Sequence, residues 1–267
     1  MKINVILVFC FAVLFTSCSE YQQVFRNNNT TAKYNAVDSL YKAGKYKKAL
    51  KLMEQIVPAY RGKPQAEKLI FMYANTYYQM GDYYLAGYQF ERFETSYPKS
   101  DSVEIASFKS AKSYYQLSPR FSLDQKDTDM ALGKLQAFIN AYPNTQYRSE
   151  ANELVSELRT KIEYKDIQIA RQYLKISDYK PAIGAFENFI SDHPGSTFRK
   201  NAFFGRLDAG YQLAVNSVPR LVEERLMIAL GYYNSFVKYY KDTELMVEAD
   251  VILEDINKRL NIEEPTS

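Results

Sequence analysis

Residues 176–194 read ISDYKPAIGAFENFISDHP, and this stretch decides the fold. A small polar turn, Ser177-Asp178, precedes Ala182; Phe186 and Phe189 follow four and seven positions later, and His193-Pro194 closes the segment. Apolar residues at i, i+4 and i+7 share one face of an α-helix. Proline cannot continue a helix, so the segment ends as a helix ends. The same order recurs at Ala86/Phe90/Phe93/Tyr97-Pro98 and Ala131/Leu135/Phe138/Tyr142-Pro143. It recurs again at Ala229/Tyr233/Phe236/Tyr240, where Lys241 takes the proline position. A fainter copy, Ala49, Met53 and Ile56, stands first. Turn signatures precede two further alanines, AGKYKKA ending at Ala49 and MGDYYLA ending at Ala86. Upstream of these turns lie Ala74/Tyr77, Ala111/Tyr114 and Ala170/Tyr173, a small residue followed three later by tyrosine.

Two antiparallel helices approach closely only where small side chains face each other, which explains the recurring alanines. Gly or Ser with Asp makes the tight turn between them. The aromatic pairs fill the groove against the next repeat, and no single repeat can bury its apolar face alone. These are the marks of the tetratricopeptide helix-turn-helix. The expected fold is all-α, a right-handed superhelical solenoid of about five such repeats with a long helix near the middle. Successive motif alanines are 37, 45, 51 and 47 residues apart, longer than the usual spacing of about 34. Repeat 3 carries an insertion, SPRFSLDQKDTD (Ser118 to Asp129), and Tyr147 to Ser177 keeps a helical period throughout. A last helix over about Thr243 to Leu260 caps the array. The expected divisions are repeats 1–3 over 31–145, the long helix with repeats 4–5 over 146–260, and a loose tail over 261–267.

The N-terminus reads as an export signal over 1–17. Lys2 is followed by an apolar run from Ile3 to Phe15, too short for a membrane span of about 20 residues but suited to a secretory signal. Cys10 lies inside the run and is removed with it. That leaves Cys18 alone, so no intramolecular disulfide is available. A lone cysteine after Thr16-Ser17 resembles a bacterial lipobox, whose cysteine is acylated and becomes the new first residue. The alternative is an ordinary signal peptide that leaves a free thiol. Acylation would add a covalent diacylglycerol and an N-acyl chain such as palmitate, enough for stable anchoring. Residues 18–30, with Asn27-Asn28-Asn29-Thr30, read as a tether with a typical reach of about 20 Å.

The 267 residues carry a net charge of +3, too small and too dispersed for a nucleic-acid footprint. The runs RNNNTT and YKAGKYKKALK are the most polar and basic, the latter read as a solvated helix face rather than a membrane or nucleic-acid patch. With one histidine, His193, a multi-histidine metal site is impossible, and His193 occupies a slot where other copies have tyrosine, a packing or capping position. No Walker loop, GxGxxG, HExxH, GxSxG or CxxC is present, so neither enzyme activity nor a cofactor is expected.

Binding is expected on the surface lined by the first helix of each pair. Registering on the motif alanines places Tyr34, Asp38 and Tyr41 there in repeat 1, Phe71, Asn75 and Tyr78 in repeat 2, and Phe108, Lys112 and Tyr115 in repeat 3. Rings interleaved with amides and charges suit an extended peptide; the same rings could equally pack between repeats.

The leader, the five repeats and above all EYKDIQIARQYLKISDYKPAIGAFENFISDHP (Glu163 to Pro194) resemble the BamD family of outer-membrane assembly lipoproteins over essentially the whole mature chain. The resemblance implies a non-enzymatic subunit of the β-barrel assembly machinery on the periplasmic side of the outer membrane. Its partners would be unfolded outer-membrane clients at the N-terminal repeats, and a BamA-like barrel subunit and other assembly lipoproteins at the C-terminal ones, over about Tyr164 to Tyr240. The competing reading is another tetratricopeptide scaffold lipoprotein of the cell envelope, such as a pilus-assembly factor.

Overall fold

The computed structural model describes residues 20–261, and every regular element among them is helical. Contacts divide the chain into two units. The first holds residues up to Pro119 together with Gln125–Val155; the second holds Arg120–Asp124 and everything from Ser156 onward.

The first unit is three helix hairpins: α1 (Thr30–Lys42) with α2 (Tyr46–Tyr60), α3 (Ala66–Gln79) with α4 (Tyr83–Ser96), and α5 (Val103–Leu117) with α6 (Lys126–Ala141). The turn chemistry is the one the motifs specify. Gly44 and Gly81 sit at φ of +67° and +78°, which glycine reaches without steric cost. After each, the next amide donates back across the helix end, Lys45 N–H to Leu40 O at 2.8 Å and Asp82 N–H to Tyr77 O at 3.0 Å. The Asp82 carboxylate then accepts from Leu85 N–H at 3.3 Å and starts α4. Motif residues Ala49, Ala86, Phe90, Phe93, Ala131 and Phe138 are buried to 1% exposure or less. Fully burying each ring contributes about 2–3 kcal/mol.

One long helix, α7 (Arg148–Lys175), begins in the first unit and ends in the second. In the second unit its Ile167 and Ala170 pack with Ala182, Phe186 and Phe189 of α8 (Tyr179–Asp192) and with Ala202 and Ala209 of α9 (Arg199–Val215). There the hairpin turn places Ser177, not glycine, at φ +63°. A second cluster joins α9, α10 (Pro219–Tyr240) and α11 (Met246–Leu260) through Phe203, Leu207, Phe236 and Ala249. Helix α11 covers the last hairpin, three residues shorter at its start than its apolar pattern implies. Asn261 closes it at φ +53°; the remainder of the expected tail lies outside the described residues.

Two expectations change. The tether expected over 18–30 is helical at 20–26. Tyr21, Val24 and Phe25 fall on one side of those nearly two turns and pack against the core of α1, α2 and α3. Tyr21 also donates to Lys48 O at 3.3 Å. Three apolar residues at i, i+3 and i+4 suffice when a groove already exists to receive them, which a local reading of polarity does not detect. The insertion is shorter than 118–129, because α6 already starts at Lys126. Its segment Arg120–Asp124 belongs to the second unit, where Phe121 meets the Tyr164 ring edge-on at 4.7 Å and Lys165 donates to Leu123 O at 2.6 Å. Cys18, with the rest of 1–19, lies outside the described residues. No helix among the described residues is long and apolar enough to cross a membrane.

Candidate peptide-binding groove

Helices α1, α3 and α5 are the first helices of the three hairpins in the first unit, and a polar ladder crosses all three. The Asn75 side-chain amide on α3 donates to Tyr41 Oη on α1 and accepts from Lys109 Nζ on α5. Asn75 is only 6% exposed, so both ends of a buried amide are satisfied by neighbouring repeats. Burial pushes the Tyr41 hydroxyl above its ordinary pKa, and the Tyr46 ring stands edge-on to it at 5.7 Å. Tyr78 lies one turn beyond Asn75, its ring edge-on to Tyr83 at 5.5 Å and Lys109 Nζ 5.1 Å from its centroid. Burial raises the Tyr78 hydroxyl pKa as well.

Charge flanks this row on either side. Asp38 accepts from Lys42 at 2.6 Å and Lys68 at 2.7 Å, and these two lysines hold its carboxyl below the usual carboxylate range. Lys112 pairs with Glu150 at 2.5 Å, and the hydrogen bond to that carboxylate raises the lysine above its ordinary pKa. Both are partly exposed pairs, and their role is to fix side chains more than to stabilise.

The nine residues singled out from sequence therefore divide. Asp38, Tyr41, Asn75, Tyr78 and Lys112 are brought together across α1, α3, α5 and the start of α7. Tyr115 is half-buried on the last turn of α5, its carbonyl accepting from Ser118 N–H at 3.1 Å. Tyr34 stacks on Tyr60 of α2 at 5.2 Å and is committed to its own hairpin. Phe71 meets Phe90 and Phe93 edge-on at 5.7 and 5.5 Å, and Phe108, 4% exposed, lies against Phe138 and Tyr147 at 5.2 and 4.7 Å. Phe108 is thus spent on packing, while Phe71 packs on the rings of α4 and stays partly exposed. Lys109 is the residue the sequence reading missed. Tyr41, Asn75 and Lys109 are each 34 positions apart, three fewer than the 37 that separate equivalent positions in these helices, so the ladder steps back about one turn at each helix and the register of the repeats does not point to it.

In the second unit His193 caps α8 as its slot implies. Its N–H donates to Phe189 O at 3.0 Å, its ring lies 4.8 Å from the Phe189 ring, and Nε2 is 3.2 Å from Asp166. Further along, Arg206 is held between the rings of Phe203 and Tyr232, 5.1 and 4.5 Å from their centroids. Ile169, Tyr173 and Ile176 at the end of α7 are exposed large apolar residues at i, i+4 and i+7.

Hairpins of this kind, with alanine at the crossing, define a tetratricopeptide-type repeat protein. The family model described as YfiO, outer membrane lipoprotein, matches residues 26–226, and the chain belongs to that family. The relatives it matches include proteins named outer membrane protein assembly factor BamD. The one from Caulobacter vibrioides is 25% identical over 199 residues, covering 74% of this chain and 64% of its own. The one from Rickettsia prowazekii is 25% identical over 206 residues, covering 77% and 75%. The one from Xylella fastidiosa is 22% identical over 179 residues, covering 63% and 61%. The match thus spans less than two thirds of the length of the Caulobacter and Xylella relatives. Among solved structures, a Podosopora anserina chain of nearly identical TPR-like repeats covers 79% of this chain and 96% of its own at 14% identity, with a TM-score of 0.33.

Proposed function

We propose that the chain is a lipid-anchored subunit of an outer-membrane β-barrel assembly complex, facing the periplasm. The observation that carries this reading is the family match over 26–226, taken with relatives named as assembly factors. Acylation of Cys18 would supply the anchor. The row Tyr41, Asn75, Tyr78 and Lys109 supports binding of an unfolded client segment: fixed rings grip side chains, and fixed polar groups meet the backbone of an extended strand. The second unit supports docking of a BamA-like barrel subunit and other assembly lipoproteins, since Ile169, Tyr173 and Ile176 expose apolar area of the kind that fills an interface core.

Depletion in the native host tests the whole reading. A general loss of outer-membrane proteins, together with recovery of a large barrel subunit on affinity capture, supports it. Loss of a single pilus or transport system, with no barrel subunit recovered, would sink it in favour of another envelope scaffold. The anchor is tested separately. The Cys18→Ser chain should melt at the wild-type temperature yet leave the membrane fraction except where a partner retains it, and intact-mass measurement of the wild-type protein should show the added acyl chains.

A further inference from the structure

We infer that Lys109 is the anchor for a carboxylate of the bound peptide; this rests on the peptide-binding reading of the first unit. Lys109 is half-buried on α5, with Tyr78 and Phe90 ring centroids 5.1 and 6.0 Å from Nζ. Among the described residues no carboxylate lies within ion-pair distance of it, whereas the neighbouring lysines on the same face are each matched, Lys68 by Asp38 and Lys112 by Glu150. An ammonium carries three donors. One is used, on Asn75 Oδ1 at 2.5 Å, and two remain for a ligand. Burial and the charge of Lys112 both push the Lys109 amine below its ordinary pKa. A second cation one turn away therefore adds to the positive field without relieving it.

The ladder explains why the cation stays where it is. Asn75 cannot rotate without losing Tyr41, so its Oδ1 holds Nζ at the centre of the three first helices, beside the Tyr78 ring. A partly desolvated cation without a counter-charge is an unfavourable arrangement in the free protein. It becomes favourable when a ligand brings the missing negative charge, through a charge-assisted hydrogen bond in a site already dried by rings. A peptide offers that charge from two sources, its C-terminal carboxylate or an Asp or Glu side chain. The chemistry at Lys109 is the same for both.

The experiment is fluorescence anisotropy of the full mature chain with a labelled synthetic peptide copying the terminal segment of an outer-membrane β-barrel protein. The peptide is made as free acid and as C-terminal amide, each with its acidic side chains intact or converted to Asn and Gln. Lys109→Met keeps the stem over Tyr78 and removes the charge; Lys109→Arg keeps the charge. Losing a charged hydrogen bond is expected to weaken the free-acid peptide by about 10- to 100-fold in Lys109→Met, with binding largely kept in Lys109→Arg. If the C-terminal carboxylate is the ligand, the amide peptide binds weakly to wild type and equally weakly to Lys109→Met. If a side chain is the ligand, the Asn/Gln peptides show that behaviour instead. Binding that is equally tight in wild type and Lys109→Met overturns the proposal while leaving the groove in place. Failure of any peptide to bind wild type overturns the groove reading, and the proposal with it. Because Lys109→Met leaves Asn75 Oδ1 without its donor, a lower melting point is expected; far-UV circular dichroism showing both variants fully folded at the assay temperature shows that a lost affinity is not lost folding.

Discussion

Gly205, in α9, tests whether the alanine and glycine positions of the repeat are steric requirements. A Cβ built there would collide with Phe186 Cζ and lie 2.6 Å from Cε1 and 2.8 Å from Cε2. Phe186 is fully buried, with Ile167, Ala170 and Ala202 in the same cluster, so the ring has no room to withdraw. Restoring ordinary contact needs a displacement of roughly 1 Å in a close-packed core. Overpacking of that kind costs about 1–3 kcal/mol, and three clashing ring atoms put it in the upper half. Alanine returns about 1 kcal/mol through its helix preference. The net expectation for Gly205→Ala is a loss of about 1–2 kcal/mol, read as a fall in the urea midpoint of the second unit by roughly 0.5–1 M. Gly133 in α6 and Gly184 in α8 are the controls, since nothing lies within 4 Å of a Cβ at either. Alanine there should raise stability by about 0.5–1 kcal/mol. The same substitution is thus expected to change sign within one protein, and Phe186→Leu should rescue Gly205→Ala beyond additivity. If Gly205→Ala stabilises the chain as the controls do, the crossing is not close-packed and the reasoning fails.

Ser177 offers the opposite case: at φ +63° a serine occupies a turn position where Gly44 and Gly81 stand in two other hairpins, so Ser177→Gly should stabilise the chain by about 0.5 kcal/mol, once the greater unfolded-state freedom of glycine is set against the relieved strain, and be read as a rise in the thermal midpoint. Asn75→Ala removes both hydrogen bonds of the ladder and strands Tyr41 Oη and Lys109 Nζ, a loss of about 2 kcal/mol measurable by denaturant titration. Asp208 in α9 is raised in pKa chiefly by burial, with Glu248 adding to the effect and one 3.3 Å bond from Gln212 opposing it. A carboxylate raised on folding binds its proton more tightly in the folded state, so its ionisation penalises the fold above the folded pKa, and the penalty vanishes below the ordinary aspartate range. Asp208→Asn should therefore stabilise the second unit at neutral pH and lose that advantage as the pH falls; an advantage that persists in acid would show that its origin is not the charge.

The periodic features were legible because they repeat a physical constraint. A tight hairpin needs a left-handed turn, a small residue at its crossing and apolar rings one and two turns later, and those needs surface as Gly81-Asp82, Ala86, Phe90 and Phe93. Facing positions between different hairpins are another matter. Tyr78 and Phe71, seven residues apart, share one side of α3, yet the first borders the ladder and the second packs on the Phe93 ring of α4; what differs is the neighbour each meets along the helix. Composition could not separate them; only their partners do. The ladder crosses the repeats out of register. Equivalent positions of the first helices are 37 apart, as in Asp38, Asn75 and Lys112, whereas Tyr41, Asn75 and Lys109 are 34 apart, so each partner sits about one turn earlier on the next helix and only the stacking of the helices brings them together. Three polar residues on one row that differ in kind, a phenol, an amide and an ammonium, also complement one another as acceptor, donor-acceptor and donor. A row required only for packing would have no reason to be polar at all three steps, since each buried polar group is unfavourable until it is matched. The ladder satisfies every member internally except the last. That incompleteness at Lys109, next to the ring of Tyr78, is what distinguishes a surface built to receive charge from one built only to hold helices together.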